Sequence, residues 1–266
     1  MSIDLHLRRQ NLELDEAGHI RWRVVEETTA IEPASTALLL CDVWDSHWSR
    51  GARERLEALL PLMNDVTGAA RKAGLLVIHS PSDTMDFYEN HPARVRAQMT
   101  DPVEPVAVLP APAQDPASLV GEMFAANGQV DEYDPPLPVD ASDEGSTTPE
   151  DSPSKQWRRQ HERIEIDAEH DLISDDGAVV YGALRARGIS RVILMGVHTN
   201  MCVLHRSFAI KAMAKRGVDM VLVRDLTDTM YNPACAPYVD HDEGTRLVVG
   251  YVEKFWGSTI DSSDLL

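Results

Sequence analysis

The sequence predicts an α/β protein, a three-layer αβα sandwich built on a mostly parallel, Rossmann-like sheet in a single domain. Three observations predict this fold. Short apolar runs alternate along the chain with amphipathic stretches of helical period. Three of these stretches end at a glycine suited to a left-handed helix cap, and an apolar run follows each glycine. The length of 266 residues is enough to bury one large core without disulfides or structural metals.

Four runs are predicted to be buried parallel strands, because they are almost continuously apolar rather than alternating. They are residues 36–43, 74–80, 191–197 and 218–225. Four helices are predicted from apolar residues at helical spacing. They are residues 53–74, 175–188, 202–217 and 242–256. Strands and helices in this order indicate a parallel sheet that is covered on both faces.

The composition restricts the partners and the setting of the protein. A net charge of −18 opposes binding to nucleic acid or to anionic membranes, because both are polyanions. The longest apolar run is too short to cross a bilayer, and the N-terminal residues lack the apolar core of a signal peptide. Three cysteines without regular spacing argue against disulfides and against a structural zinc site. The sequence therefore predicts a cytoplasmic protein that acts on a small molecule.

One stretch interrupts the alternation of strands and helices. Residues 100–155 contain ten of the sixteen prolines and twelve of the forty-three acidic residues, but only one of the twenty-five Lys and Arg. This composition predicts an acidic, Pro-rich insertion at about 100–155 within a single domain that spans residues 1–266. It is interpreted either as a solvated loop or as a lid over the functional site.

Titratable and aromatic side chains follow the predicted strands where each strand ends. Ligands of open parallel sheets bind beyond the carboxyl ends of the strands, so we expect the functional site at this edge. The candidate residues are Asp42, Trp44 and His47 after the first predicted strand, and His198, Thr199 and Cys202 after the third.

Cys202 is the candidate nucleophile, because it stands where a strand ends and a helix is predicted to begin. Unpaired N–H groups at a helix N-terminus favour a thiolate and can also hold an oxyanion. The alternative is a buried structural cysteine, which is common. Asp42 can act as a general base toward a neighbouring thiol, or it can serve only to stabilise a turn.

Two segments, "LLLCDVWDSHW" and "ILMGVHTNMCVLHRSF", resemble the isochorismatase-like cysteine hydrolases, which include nicotinamidases and other amidohydrolases. The resemblance covers roughly 30–98 and 160–255. It implies an Asp–Lys–Cys triad in which Asp42 is the base and Cys202 attacks a carbonyl to form an acyl-enzyme. It also implies an oxyanion site at the backbone N–H groups of Cys202 and of His198 or its neighbour, with a cis peptide before His198.

The lysine of this triad is not at its expected position. The resemblance places it near Glu169, where this chain has no lysine. Lys155, at the end of the acidic insertion, is predicted to take the lysine role. A proton relay rebuilt from His198, His170 or Glu169 is an alternative. A ligand-binding or scaffold relative with little hydrolase activity is another.

A metal site is one interpretation of the polar residues that follow the first two strands. The members of this set are Asp45, His47, His79, Asp83 and His91. Nicotinamidases of the family hold a metal with an Asp-x-His pair after the second strand. The loop after the second strand of this sequence lacks that pair, although Asp45 and His47 have the same spacing after the first strand. No metal and no other cofactor is therefore predicted.

The functional prediction is a hydrolase that cleaves a C–N bond of a small amide and assembles as a homo-oligomer. Asp42, Lys155 and Cys202 are the predicted catalytic residues. Trp44, His47, His198 and Thr199 are predicted to contact the substrate or the oxyanion. Hydrolysis of a vinyl ether, as in isochorismatases, is the alternative reaction.

Overall fold

The structure is a computed structural model that describes residues 2–104, 135–142 and 155–266. The described residues form one eight-stranded sheet with the strand order β2-β1-β8-β7-β6-β3-β4-β5. The strands are β1 (Ile3–Leu14), β2 (Ile20–Ile31), β3 (Thr36–Cys41), β4 (Leu76–Ser80), β5 (Leu172–Ile173), β6 (Arg191–Val197), β7 (Asp219–Asp228) and β8 (Ser258–Ile260). Strands β3 to β8 pair in parallel, whereas β1 pairs antiparallel with both β2 and β8.

Helices cover both faces of this sheet. They are α1 (Arg50–Ala73), α2 (Pro92–Gln98), α3 (Gly177–Ala186), α4 (Cys202–His205), α5 (Ile210–Ala214) and α6 (His241–Phe255). Short 3₁₀ turns occur at Pro33–Ser35, Met85–Tyr88 and Ser262–Leu265. Within the described ranges, no helix is both long enough and apolar enough to cross a membrane.

Strand β3 shows why its sequence is continuously apolar. Ala37, Leu39 and Cys41 belong to the core cluster on one face of the sheet. Leu38 and Leu40 belong to the cluster on the other face. A strand with helices on both sides needs apolar side chains at every position, so the predicted three-layer α/β fold is confirmed.

The N-terminal ribbon of β1 and β2 was not predicted. Its two strands pair over twelve positions, from Ile3 with Ile31 to Leu14 with Ile20. Most of β2 is exposed on both faces, so the sequence shows neither a buried apolar run nor a clean alternation. The pattern that marks a strand is therefore weak here.

The predicted helix over 202–217 is wrong, because the chain forms the two short helices α4 and α5 instead. Arg206 has extended backbone angles and ends α4. The chain then packs against the start of α3, where a Cβ at Gly177 would lie 2.2 Å from the Ser207 carbonyl oxygen. The Gly177 N–H donates to the Ser207 hydroxyl at 3.0 Å. This contact holds the connection between α4 and α5 in a non-helical path.

The acidic insertion lies mostly outside the described residues, so the single-domain organisation stays a prediction. One of its described parts, residues 135–142, lies against the body of the fold. The Tyr251 hydroxyl on α6 donates to the Pro135 carbonyl at 2.9 Å. The Asp140 N–H donates to the Ala236 carbonyl at 2.8 Å.

A buried ion cluster holds the segment that leads into β5. The Asp171 carboxylate lies 3.0 Å from His79 Nε2 of β4 and 2.7 Å from Arg71 Nη2 of α1. It also accepts the Asp167 N–H at 2.7 Å. Burial alone would raise the pKa of Asp171, but the hydrogen bonds from His79 and Arg71 outweigh burial and lower it to about 2.

Replacing Asp171 by Asn is expected to lower the free energy of unfolding by about 2 kcal/mol at neutral pH. A depressed carboxyl pKa stabilises the fold above the pKa of the unfolded chain, and this contribution disappears as the pH falls through about 2. The difference between wild type and Asp171→Asn, measured by urea unfolding, should therefore shrink to about half by pH 3. Asp219→Asn is the control, because Asp219 pairs with Arg191 at the surface. A pH-independent difference would contradict this assignment.

Candidate active site

Asp42 and Cys202 lie together at the carboxyl edge of the sheet. Asp42 directly follows β3, and Cys202 begins α4 after the turn that follows β6. Strands β3 and β6 are neighbours in the sheet, so the two residues meet although they are far apart in sequence. The Cys202 thiol lies close enough to the Asp42 carboxylate for the carboxylate charge to raise the thiol pKa. The two residues singled out from the sequence thus form a contact pair.

The Asp42 carboxylate is fully buried and accepts one hydrogen bond from Ser82 and one from Arg206. Its Oδ1 accepts the Ser82 N–H at 2.6 Å, and its Oδ2 accepts Arg206 Nε at 3.0 Å. Arg206 Nη2 also lies 3.6 Å from an Asp83 carboxylate oxygen. The buried carboxylate is therefore compensated by a guanidinium group that sequence analysis missed.

The protonation of the pair follows from its burial. Burial raises the pKa of Asp42, and the Arg206 charge opposes this effect. Burial and the adjacent Asp42 carboxylate raise the pKa of the Cys202 thiol far above its ordinary value, again opposed by Arg206. The sequence predicted a thiolate stabilised by a helix N-terminus, but α4 has only four residues and so contributes a small dipole. In the resting site the proton is on sulfur, and Asp42 is placed to accept it.

The turn before Cys202 carries the N–H groups that were predicted to hold an oxyanion. The Val197–His198 peptide is cis, as the family resemblance implied. Within the described part of the chain, neither the His198 nor the Cys202 N–H has a hydrogen-bond acceptor. Thr199 differs, because its N–H donates to the Asp228 carbonyl at 2.8 Å and its hydroxyl lies 2.7 Å from that of Thr227. Among the described residues of this turn, the N–H groups of His198, Asn200 and Cys202 have no acceptor, whereas Thr199 holds β6 against β7.

Parallel aromatic rings form a wall near this turn. Trp44 stacks on Trp157 with ring centroids 4.1 Å apart, and the His47 ring lies parallel to Trp157 at 5.7 Å. Trp44 Nε1 donates to the Ser82 carbonyl at 3.0 Å. The edge of His198 meets His47 at 5.0 Å. Trp44, His47 and His198 were singled out from the sequence, whereas Trp157 follows the insertion and was missed.

His198 borders a second buried charged group. Burial lowers the pKa of His198 to about 3 despite the nearby Asp228 carboxylate, so its imidazole is neutral near pH 7. Asp228 accepts Arg55 Nε at 3.0 Å and lies 2.9 Å from His241 Nε2. Arg55 therefore compensates the Asp228 charge, His241 shares a hydrogen bond with it, and His198 needs no charge of its own.

Lys155 lies at the rim of the site. Its ammonium group donates to the Asp83 carbonyl oxygen. No contact between described residues joins Lys155 to Asp42 or Cys202, and the cation against Asp42 is that of Arg206. Lys155 lines a cleft of about 580 Å³. Asp83 also lines this cleft, and its carboxylate lies 3.6 Å from Arg206 Nη2. The described lining residues of this cleft are Asp83, Thr84, Asp86, Phe87, Lys155, Gln156, Trp157 and Arg158.

Of the three alternative relay residues, His198 lies in the cysteine turn, whereas His170 and Glu169 lie outside the site. His170 is exposed and pairs with Asp167 at 2.9 Å, and the Glu169 N–H donates to the same carboxylate at 2.7 Å. His91 accepts the Ala93 N–H at the start of α2. The described residues contain no group of three side chains arranged to hold a metal ion.

The comparison with protein families places the match on the cysteine turn. Residues 178–235 match the family described as the isochorismatase domain. This range includes the cis peptide, Cys202, Arg206 and Asp228, but not Asp42. No curated protein sequence matches the chain.

Solved structures that are similar to the chain match most of its length. A cysteine hydrolase from Pseudomonas syringae pv. phaseolicola is 17% identical, has a TM-score of 0.50, and the match covers 88% of this chain and 92% of that one. An isochorismatase from Pseudomonas putida is 12% identical with a TM-score of 0.47, covering 89% and 92%. An isochorismatase family protein from Burkholderia thailandensis is 16% identical with a TM-score of 0.44, covering 87% and 93%. The chain is therefore similar to the isochorismatase domain over the cysteine turn, and it shares the fold of a cysteine hydrolase.

Proposed function

We propose that the protein is a cysteine hydrolase that cleaves the C–N bond of a small amide through an acyl-enzyme on Cys202. The observation that carries this proposal is the buried contact of the Cys202 thiol with Asp42, whose charge Arg206 compensates. A thiol that only fills space in a core needs no carboxylate beside it. Burying a carboxylate costs free energy even when a cation compensates part of its charge, so its position next to the thiol favours a functional role.

The reaction begins with proton transfer from the thiol to Asp42 as sulfur attacks the carbonyl carbon. The resulting oxyanion lies at the N–H groups of His198 and Cys202. Collapse of this intermediate breaks the C–N bond, and Asp42 returns its proton to the leaving nitrogen. Asp42 then takes a proton from water, the hydroxide attacks the thioester, and the proton returns to sulfur as the acid is released.

Arg206 supplies the positive charge that the family resemblance assigned to a lysine. A guanidinium group stays protonated throughout, so Arg206 cannot carry the catalytic proton. Its role is to keep Asp42 ionised before the attack and to hold it toward sulfur through the Nε hydrogen bond. All proton transfers are then made by Asp42.

The surrounding groups suit a small, partly planar substrate. The rings of Trp44, Trp157 and His47 offer an apolar wall against which a planar group can stack. Neutral His198 can donate or accept one hydrogen bond from the substrate. The acyl portion is therefore proposed to rest against this wall, with Lys155 at the mouth of the adjoining cleft.

A ligand-binding relative without hydrolase activity is the second candidate. The observation that favours it is the raised pKa of the Cys202 thiol, which leaves little thiolate at neutral pH. In that case Asp42 and Arg206 would only recognise a polar ligand.

An assay of a panel of small amides for release of ammonia or amine separates the two candidates. We expect turnover of at least one amide and no hydrolysis of vinyl ethers. In the same samples, alkylation of Cys202 by iodoacetamide should be slower at neutral pH than that of a free thiol and should accelerate at higher pH, because burial and Asp42 raise the thiol pKa. Thermal stabilisation by an amide that is not turned over would favour the binding protein.

A further inference from the structure

The N-terminal ribbon leaves one strand without a neighbour. Strand β2 is the last strand of the sheet, and among the described residues it pairs only with β1. Strand β1 in turn joins β8 at a single pair, Arg8 with Thr259. The outer edge of β2 therefore presents unpaired backbone groups along a strand of twelve residues, which is a template for another strand.

The ribbon is held firmly against the body of the protein. Glu253 of α6 is buried and lies 3.3 Å from Arg8 Nη1. It also accepts Gln10 Nε2 at 2.7 Å and the Thr259 hydroxyl at 2.8 Å. Trp22 of β2 packs edge-on against Phe255 with centroids 5.4 Å apart. These contacts fix the position of the β2 edge, so a partner strand meets a preformed surface.

The charges along β2 are divided between its two halves. Arg21 and Arg23 lie in the first half, and Glu26 and Glu27 lie in the second. Arg21 and Arg23 pair with Glu13 of β1 at 3.1 and 2.7 Å, and Glu26 lies 3.9 Å from Arg8. The side chains of Arg21, Arg23 and Glu26 nevertheless remain 57%, 56% and 73% exposed. A strand that only resists pairing needs charge of one sign, which would repel an identical copy. The division of positive and negative charges between the two halves of β2 instead allows an identical copy to pair with it.

Antiparallel pairing of two β2 strands brings unlike charges together. If the two-fold axis passes at Val24, Arg21 of each copy lies opposite Glu27 of the other. If the two-fold axis passes at Val25, Arg23 of each copy lies opposite Glu27 of the other. Opposite charges on directly paired residues stabilise a sheet, and a two-fold axis repeats each pair twice. Parallel pairing in register would instead place like charges side by side.

An exposed apolar face accompanies this charge pattern. Leu14 pairs with Ile20 and Leu12 pairs with Trp22, so these side chains share one face near the tip of the ribbon. Leu14, Ile20 and Val24 are 55%, 42% and 42% exposed. With the axis at Val24, the two Val24 side chains lie opposite each other and cover part of this face, whereas Leu14 and Ile20 of the two copies lie at opposite ends of the paired strands.

We propose that a second copy of this chain pairs antiparallel with β2, so that the two sheets become continuous across a two-fold axis. The proposal is independent of the chemistry at Cys202. It assigns an interface to the homo-oligomer that the family resemblance implies.

Complementary charge variants test this interface. One variant carries Arg21→Glu and Arg23→Glu, and the other carries Glu26→Arg and Glu27→Arg. Each has a β2 strand of one charge sign, so each should be monomeric alone, whereas their equimolar mixture should form a heterodimer. Native mass spectrometry and sedimentation at matched concentrations measure this, and circular dichroism checks the fold. The control, Arg185→Glu with Arg187→Glu on α3, makes the same charge change away from the ribbon and should dimerise as the wild type does.

Hydrogen exchange of the wild type provides a second measurement that needs no variant. Amides in the peptide 20–31 should exchange more slowly at concentrations where the dimer forms than at dilution. A wild type that is monomeric at all concentrations would overturn the proposal. So would charge variants that each assemble as well as the wild type, or exchange in 20–31 that is unchanged by assembly.

Discussion

Replacing Asp42 by Asn is expected to reduce kcat/KM by about 10³-fold or more, because the amide cannot accept the thiol proton. The same change should make Cys202 more reactive toward an alkylating reagent at a given pH. The Asp42 carboxylate raises the pKa of the thiol through its charge, so removing the charge lowers that pKa. Catalysis and thiol reactivity should therefore move in opposite directions.

The structure makes this a clean substitution. Asp42 has a left-handed backbone with φ of 50°, which Asn also tolerates. Steady-state kinetics and the pH dependence of iodoacetamide labelling measure the two effects. Asp83→Asn is the matched control, because Asp83 contacts Arg206 at 3.6 Å but not the thiol pair. If Asp42→Asn slowed both reactions or left turnover intact, Asp42 would not be the base.

Replacing Arg206 by Met is expected to leave the Asp42 carboxylate buried without a cation. Removing one partner of a buried pair costs about 3–5 kcal/mol, unless the remaining group takes up a proton. The pKa of Asp42 is raised by burial and lowered by Arg206, so loss of the guanidinium raises it further. Since catalysis needs the carboxylate, activity should fall and the acid limb of the pH–rate profile should move to higher pH.

Arg206→Lys and Lys155→Ala complete this test. A lysine at 206 restores the charge but not the fixed geometry of the guanidinium, so the pH–rate profile should return while kcat recovers in part. Lys155→Ala should leave the acid limb in place, because Lys155 contacts the Asp83 carbonyl. If Lys155→Ala moved the acid limb and Arg206→Met did not, the lysine role predicted from the sequence would hold and the role of Arg206 would be wrong.

The parts of the site that could be predicted from the sequence depend on strand order. A buried parallel strand is continuously apolar, so β3 and β6 were located, and the residues just after them lie at one edge of the sheet. Asp42 and Cys202 follow these two strands and are in contact. The contact needed only that β3 and β6 be neighbours.

Arg206 could not be found in this way. It is four residues after Cys202, and the apolar spacing predicted one helix through both. The helix ends at Arg206 because the chain turns to pack on Gly177, a contact between segments distant in sequence. Trp157 was missed for a similar reason, since it follows the insertion and meets Trp44 only in the folded chain.

The pKa of the Cys202 thiol could also not be predicted from the sequence. A cysteine before an apparent helix predicted a stabilised thiolate, but its pKa depends on burial and on the distance to Asp42. Both quantities arise from the tertiary structure. In the proposed mechanism, this raised pKa requires the thiolate to be generated by proton transfer during the attack.

The most direct test of the central claim is intact-mass spectrometry of the wild type, quenched while it turns over an anilide of its best acyl group. An anilide is an activated amide, so acylation should outpace hydrolysis of the thioester. The account predicts a mass increase equal to the acyl group, lost on treatment with hydroxylamine, mapped to Cys202 and missing from Cys202→Ala. Turnover that persists in Cys202→Ala, with no adduct on the wild type, would contradict it.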